Sequence, residues 1–224
     1  LNQLFGIYME TKSDLRESTR CNYIAVWKNA IKDSALGNMK ISQIKQFHIR
    51  RFYSELVGKG LAANTIKVYH NLISPALELA VNSDIIRKNP ARDCQKGIGG
   101  TKIERESMTI TEQEKLLNHI KASSQYSVYY PMIVFALSTG LRVGELSGLR
   151  WADVDLKESV VHIRQQLIYK NLGDGCRFHI QALKTDAGNR DIPLIADARK
   201  SLIKQKELDF TQIQKKMEDI QENV

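Results

Sequence analysis

A helix that is apolar on nearly every side, Val128 to Ser138, runs into Gly140, and Arg142 follows two residues later. Such a segment has no polar face to give to water, so it is expected to be buried. Pro131 falls in its first turn, where the missing N–H does no harm. A glycine just past the last helical residue closes the helix at positive φ without a Cβ clash. Val143 to Leu149 then reads as a short second helix carrying Glu145. The outcome is a sharp corner between two helices with a cation at its tip. A guanidinium fixed there has five donors that match the geometry of a phosphate. A plainer reading of the same residues pairs Arg142 with Glu145 or with the carbonyls of the helix end.

Upstream of the corner the chain reads as helical. Apolar residues recur at helical spacing in Tyr23, Val26, Trp27, Ala30 and Ile31, in Ile49, Phe52, Tyr53, Leu56 and Val57, and from Val68 through Val81. With the short apolar segment Leu1 to Thr11 they predict a four-helix bundle over residues 1–90. Ser42 and Asn64 are the expected N-caps of the third and fourth helices. Pro75 predicts a kink rather than a break, since the stripe continues beyond it. Asn89-Pro90 ends the bundle, and a basic, glycine-loosened linker covers residues 91–106, with Lys96 and Lys102 among its cations. The second unit, residues 107–224, opens with a capping box over Thr111 and Glu114. Beyond Trp151 the period changes to two: Val161, Ile163 and Leu167, then Phe178, Ile180 and Ala182, then Asp191 to Leu194 predict a three-stranded antiparallel meander. The fold class is therefore mainly α with a small antiparallel sheet. A polar helix follows, whose stripe of Phe210, Ile213, Met217 and Ile220 calls for a partner surface.

Charge bears on the partner. The net charge is +8, and residues 1–100 hold 15 Lys and Arg against 8 Asp and Glu, leaving 18 against 17 in the remainder. A basic excess concentrated in one half favours a polyanion through counterion release. Opposite the apolar stripes lie Lys28 and Lys32, then Arg51, then Asn64, Lys67 and Asn71. Lys and Arg suit phosphates and Asn suits a base edge; the alternative is an ordinary solvated face. No apolar run approaches the roughly 18 residues of a membrane span. The three cysteines lack metal-ligand spacing and point to a reducing cytoplasm. The chain opens on Leu1 and closes on a polar helical run, so both ends are expected to be cuts.

No Walker loop, GxSxG or HExxH is present, and the five histidines have no metal-ligand spacing. What remains is the corner and the strands. Thr139-Gly140-Leu141-Arg142-Val143-Gly144-Glu145-Leu146, followed by Leu149-x-Trp151-x-Asp153-x-Asp155, then Leu183-Lys184-Thr185 and Arg190-Asp191-Ile192-Pro193-Leu194, resembles the tyrosine recombinases, the phage-type integrase family. Residues 17–32 and 60–92 lean toward integrases of Gram-positive conjugative transposons and related phages. The resemblance implies a SAM-like core-binding domain followed by a catalytic domain of integrase type, acting on double-stranded DNA in the bacterial cytoplasm. It implies site-specific recombination through a 3′-phosphotyrosyl intermediate, with no metal or other cofactor, and a full-length parent that works as a tetramer on paired sites.

By the same resemblance Arg142 matches the first catalytic arginine, Lys184 the catalytic lysine at a hairpin tip, and Glu145 an acidic brace for the arginine. Arg177 and Arg190 are nearby competitors for a phosphate contact. The family pattern continues with His-x-x-Arg, a further His or Trp, and the nucleophilic tyrosine, whereas here no tyrosine follows Tyr169 and no histidine follows His179. The expectation is a recombinase cut before the second half of its active site and unable to cleave DNA alone. A non-catalytic DNA-binding protein on the same scaffold is the alternative, and a helical protein-interaction module is a third.

Overall fold

The computed structural model describes residues 1–98 and 106–222, with side chains described through residue 214. The chain divides into two compact units, one of Leu1–Arg105 with Asn171–Gly175 and a second of Glu106–Lys170 with Cys176–Val224.

The first unit is helical. Its elements are α1 (Asn2–Glu10), α2 (Glu17–Val26) continued by a π-helical turn at Trp27–Ile31, a short α3 (Ala35–Asn38), α4 (Gln46–Gly58) and α5 (Ala63–Asn82). The apolar stripes meet in one core that includes Leu4, Trp27, Ile31, Ile49, Tyr53, Ile66, Leu72, Ile73 and Leu77. Trp27 stacks on Phe5 with centroids 4.0 Å apart and donates through Nε1 to Asn2 Oδ1 at 3.0 Å, satisfying the one polar atom it brings inside. Pro75 lies within α5 without ending it. Val57 and Val68, expected on the inner stripes, are exposed. Two caps fall elsewhere than expected. Ser42 sits in a 3₁₀ turn and Lys45 is the N-cap of α4, while α5 starts at Ala63, before Asn64 reaches a capping position. Ala91 and Cys94, at the start of the expected linker, are buried in this core. Lys102 lies outside the described residues.

In the second unit α6 (Ile110–Ala122) is capped by Thr109 and Glu112, not by Thr111 and Glu114. The Thr109 hydroxyl accepts from the Glu112 N–H, and Glu112 returns the bond to the Thr109 N–H at 2.8 Å. A 3₁₀ turn at Ser127–Tyr129 leads into α7 (Tyr130–Thr139), whose Pro131 occupies the first turn. This helix is only partly covered: Phe135 and Pro131 are buried, whereas Met132 and Leu137 are exposed, so its all-round apolarity overstates its burial. α8 (Val143–Ser147) follows, then β1 (Val154–Asp155), β2 (Val160–Ile163), β3 (Gln165–Asn171), β4 (Cys176–Ala182), β5 (Arg190–Pro193) and α9 (Ala196–Glu222). α7 packs against α9 over a core of Phe135, Leu141, Val161, Ile163, Leu183, Leu194, Ala198 and Leu202.

The antiparallel three-stranded sheet has the order β1-β2-β5, with Val154 opposite Val161 and Val161 opposite Ile192. It is not the expected meander. The apolar alternation from Val161 to Leu167 is broken at Arg164, whose Nη1 donates to the carbonyls of Ile163 and Arg190. β3 and β4 therefore pair apart from that sheet as a two-stranded hairpin. Phe178 and Ile180 on β4, expected to face inward, are 68% and 67% exposed. Phe178 instead packs on Tyr169 across the hairpin at 4.9 Å. Among the described residues no helix is long and apolar enough to cross a membrane.

Candidate active site

Gly140 closes α7 at φ 63°, with its N–H bonded to Ala136 O at 2.9 Å. Two residues on, Arg142 is the N-cap of α8 in an extended conformation. Glu145, three residues further, turns its carboxylate back: Oε2 accepts from the Arg142 backbone N–H at 3.0 Å and Oε1 from Arg142 Nη1 at 2.9 Å. The same carboxylate receives a second guanidinium. Arg190 on β5 donates through Nη2 to Oε2 at 2.8 Å and through Nη1 to Oε1 at 3.1 Å. Glu145 is 3% exposed. The Arg190 hydrogen bonds, with smaller help from Arg142, outweigh burial and hold its carboxyl down at about 2. It is therefore ionised, and its four lone-pair sites meet four donors. One negative charge lies between two positive ones, so the cluster carries a net positive charge toward solvent. The Arg142 side chain is 78% exposed. Only Nη1 of that side chain is bonded to protein among the described residues, so Nε and Nη2 remain available as donors on a largely exposed side chain.

α8 is set against the hairpin by two glycines one helical turn apart. A Cβ at Gly148 would come within 2.8 Å of Leu167 N and 2.9 Å of Gln166 C, and one at Gly144 within 3.2 Å of Leu167 O. Gln165 Nε2 donates to Gly148 O at 2.8 Å. At Gly148 only a residue without a side chain lets the helix end lie on the β3 backbone, and at Gly144 a Cβ would be tight against it, which fixes the direction in which Arg142 leaves α8. The neighbouring motif is structural in the same manner. Asp153 is buried and takes Arg150 bidentately at 2.9 Å on both arms. Trp151 donates to Asp209 on α9 at 3.0 Å, anchoring that helix.

Lys184 is exposed on the connection from β4 to β5. Because β4 pairs with β3 and β5 with β2, this connection crosses between two sheets and is no simple hairpin tip. A 3₁₀ turn at Asp186–Gly188 follows, and the Gly188 carbonyl accepts from Arg190 Nη1 at 3.2 Å.

Models of two protein families match the chain: the phage integrase family over residues 106–216 and the phage integrase N-terminal SAM-like domain over residues 1–57. The chain belongs to the phage integrase, or tyrosine recombinase, family. The integrase match spans the Arg142 corner, the Lys184 connection and β5 together. A tyrosine recombinase XerC-like protein of Caldanaerobacter subterraneus subsp. tengcongensis is 33% identical over 155 residues, 68% of this chain and 39% of that relative. The transposase from transposon Tn916 of Enterococcus faecalis is 30% identical over 169 residues, 75% of this chain and 41% of its own length. The chain thus spans about two fifths of these relatives. Among solved structures it is similar to the Tn1549 transposon integrase in complex with a circular intermediate DNA, with TM-score 0.82, 25% identity, and coverage of 89% of this chain and 62% of that one.

The remaining candidate residues of this integrase-family chain lie on the first unit. Lys28, Lys32, Asn64, Lys67 and Asn71 are all exposed. Arg51 pairs with Glu55 at 3.1 Å and Lys96 with Asp93 at 2.9 Å, both at the surface, where such pairs are easily exchanged for another anion. Lys28 and Lys59 line one shallow depression, and Arg50 and Lys96 line another; neither Lys59 nor Arg50 stood out in the sequence. Arg190, weighed there as a competitor for a phosphate, is instead bound to Glu145. A pairing across 45 positions has no local signature. The four-residue spacing of Gly144 and Gly148, by contrast, is visible in the sequence as a small-residue face on α8.

Proposed function

We propose that this chain supplies the DNA-binding first unit and the arginine–lysine half of the catalytic unit of a site-specific DNA recombinase. The observation that carries the reading is Arg142: its guanidinium is held on one arm by a buried, ionised carboxylate and keeps its two other nitrogens available as donors. That arrangement suits a phosphate whose charge rises during reaction. In the family's reaction a tyrosine hydroxyl attacks the phosphorus and forms a 3′-phosphotyrosyl bond while the 5′ oxygen leaves. Arg142 would take charge on the non-bridging oxygens and Lys184 would protonate the leaving oxygen. A preorganised donor of this kind is worth ~3 kcal/mol of barrier. The Tn1549 integrase was solved on DNA, which supports duplex DNA as the partner here. The exposed Lys28, Lys32, Lys67, Asn64 and Asn71 support backbone and base-edge contacts by the first unit.

The nucleophile is not assigned within the 224 residues, since no tyrosine follows Tyr169. The chain is therefore expected to bind duplex DNA but to form no covalent complex with a nicked suicide duplex. Binding should weaken steeply with added salt, by about 0.9 in log affinity per log unit of salt for each phosphate engaged. Salt-independent binding would favour a protein-interaction module, and a covalent adduct would show that the missing tyrosine was misjudged. The exposed Lys28, Lys32 and Lys67 would serve equally well in a second reading, a DNA-binding protein without catalysis. The coding DNA beyond Val224 separates the two: a frame continuing into His-x-x-Arg and a tyrosine supports the enzyme, and an immediate stop supports the binder.

A further inference from the structure

Arg190 is not explained by the reading so far. It lies 45 positions from Glu145, is 31% exposed at its side chain, and spends three hydrogen bonds inside the protein. Two go to the Glu145 carboxylate. The third goes to the Gly188 carbonyl, at the end of the 3₁₀ turn that follows Lys184. One planar group therefore spans the brace of Arg142 and the segment that carries Lys184.

We propose that Arg190 is a positioning residue: it keeps Arg142 aimed outward by occupying Glu145, and it ties the Lys184 connection to the same carboxylate. The inference rests on the reading of Arg142 as a phosphate ligand. A carboxylate beside a lone arginine favours the bidentate fork, in which both arms of the guanidinium turn onto the two oxygens. Here Arg190 takes that role, bonding both oxygens in parallel. Arg142 is left with a single Nη1 contact to Oε1, and its Nε and Nη2 stay available. Without Arg190, Arg142 would have an open oxygen to fold onto and would withdraw from solvent as it did so. The Gly188 contact adds register. Nη1 bonds Glu145 Oε1 and Gly188 O together, so the turn after Lys184 cannot shift without disturbing the carboxylate that holds Arg142. Lysine cannot replace this geometry, since one nitrogen on a flexible stem cannot present two parallel donors to a carboxylate and reach a carbonyl as well.

The test is a double-mutant cycle on the 224-residue chain, with duplex DNA affinity at fixed salt as the readout. Arg142→Ala, Arg190→Gln and the double variant are compared with the unchanged protein, and thermal melting accompanies each. Arg190→Gln is expected to weaken binding by about threefold to tenfold, as loss of charge-assisted phosphate contacts would. Added to Arg142→Ala it should weaken binding no further, because its effect passes through Arg142. Additive losses would mean that Arg190 touches DNA itself, and an Arg190→Gln single variant that binds like the unchanged chain while Arg142→Ala is defective would mean that it positions nothing; either overturns the inference and leaves the Arg142 reading intact. If Arg142→Ala binds like the unchanged chain, the phosphate reading fails first and the inference with it. Arg190→Lys separates charge from geometry and guards against a merely unfolded Gln variant. It should melt near the unchanged protein yet bind as weakly as Arg190→Gln. Full recovery of affinity by lysine would show that charge alone suffices, and would overturn the positioning role of the Arg190 guanidinium.

Discussion

Arg142→Ala, placed in the reading frame extended through a nucleophilic tyrosine, is expected to slow cleavage of a suicide duplex about 100- to 1,000-fold, the range seen on removing one preorganised oxyanion donor. The size of the effect follows from where the guanidinium is held. Its Nη1 is fixed on Glu145 at 2.9 Å and the rest of the group faces solvent, so little reorganisation is needed when charge builds on the phosphate oxygens. Ground-state affinity should fall far less, by about threefold to tenfold, because the contact strengthens most in the transition state. Single-turnover rates and equilibrium binding therefore separate the two. Arg142→Lys should recover part of the affinity and little of the rate, since a single ammonium cannot hold Glu145 and also present a fork to a phosphate. A rate unchanged by the alanine variant would remove Arg142 from the chemistry.

The second large effect concerns stability and its pH dependence. Glu145 has a carboxyl held at about 2 in the folded protein against an ordinary 4.5, chiefly by Arg190. A depressed carboxyl stabilises the fold above its unfolded pKa, and that contribution is lost as pH falls from about 4.5 through about 2. The shift amounts to about 2–3 kcal/mol after discounting for the exposed Arg142 partner. Glu145→Gln should lose that amount at pH 7, because it leaves two guanidinium groups beside a neutral amide. Urea unfolding followed by Trp151 emission, in a Trp27→Phe background, reads the unit that contains the site. The difference between Glu and Gln proteins should be near its full size at pH 7 and should shrink toward pH 2. A difference that stays constant over this range would mean that the amide disrupts packing and not charge.

How much of this was legible beforehand depends on the range over which each feature is determined. The first-unit helices repeat apolar residues about every 3.6 positions, and the core of Ile49, Phe52, Tyr53, Leu72 and Leu77 follows from that spacing. The corner was legible for the same local reason: a left-handed glycine, an N-cap and a glutamate three residues on are neighbours in sequence as well as in space. Caps were less so, because Ser42, Asn64 and Thr111 are good capping types within a few residues of the true helix starts.

The strands failed where side chains decided against pattern. Phe178 and Ile180 alternate as a buried face would, yet the hairpin they sit on pairs only with itself. The third strand of the sheet is the two-residue β1, which has no periodicity to detect, and Arg164 breaks the ladder through side-chain bonds to carbonyls on two strands. Lys184 was expected at a hairpin tip, and only the pairing of the strands shows that its connection passes between sheets. Arg190 is the extreme case. Its basic charge suggested a phosphate, and only the approach of β5 to α8 reveals the carboxylate it serves.

The central claim is that Arg142, braced by Glu145, presents its free donors to a DNA phosphate. Nitrogen-15 NMR of the arginine Nε–H groups in the 224-residue chain tests it most directly, with the Arg142 resonance assigned by its disappearance in Arg142→Lys. On addition of duplex DNA at low salt, the Arg142 Nε–H resonance is predicted to move and to become protected from exchange with water, while that of Arg190 stays in place. An Arg142 resonance that does not respond to saturating DNA would contradict the account.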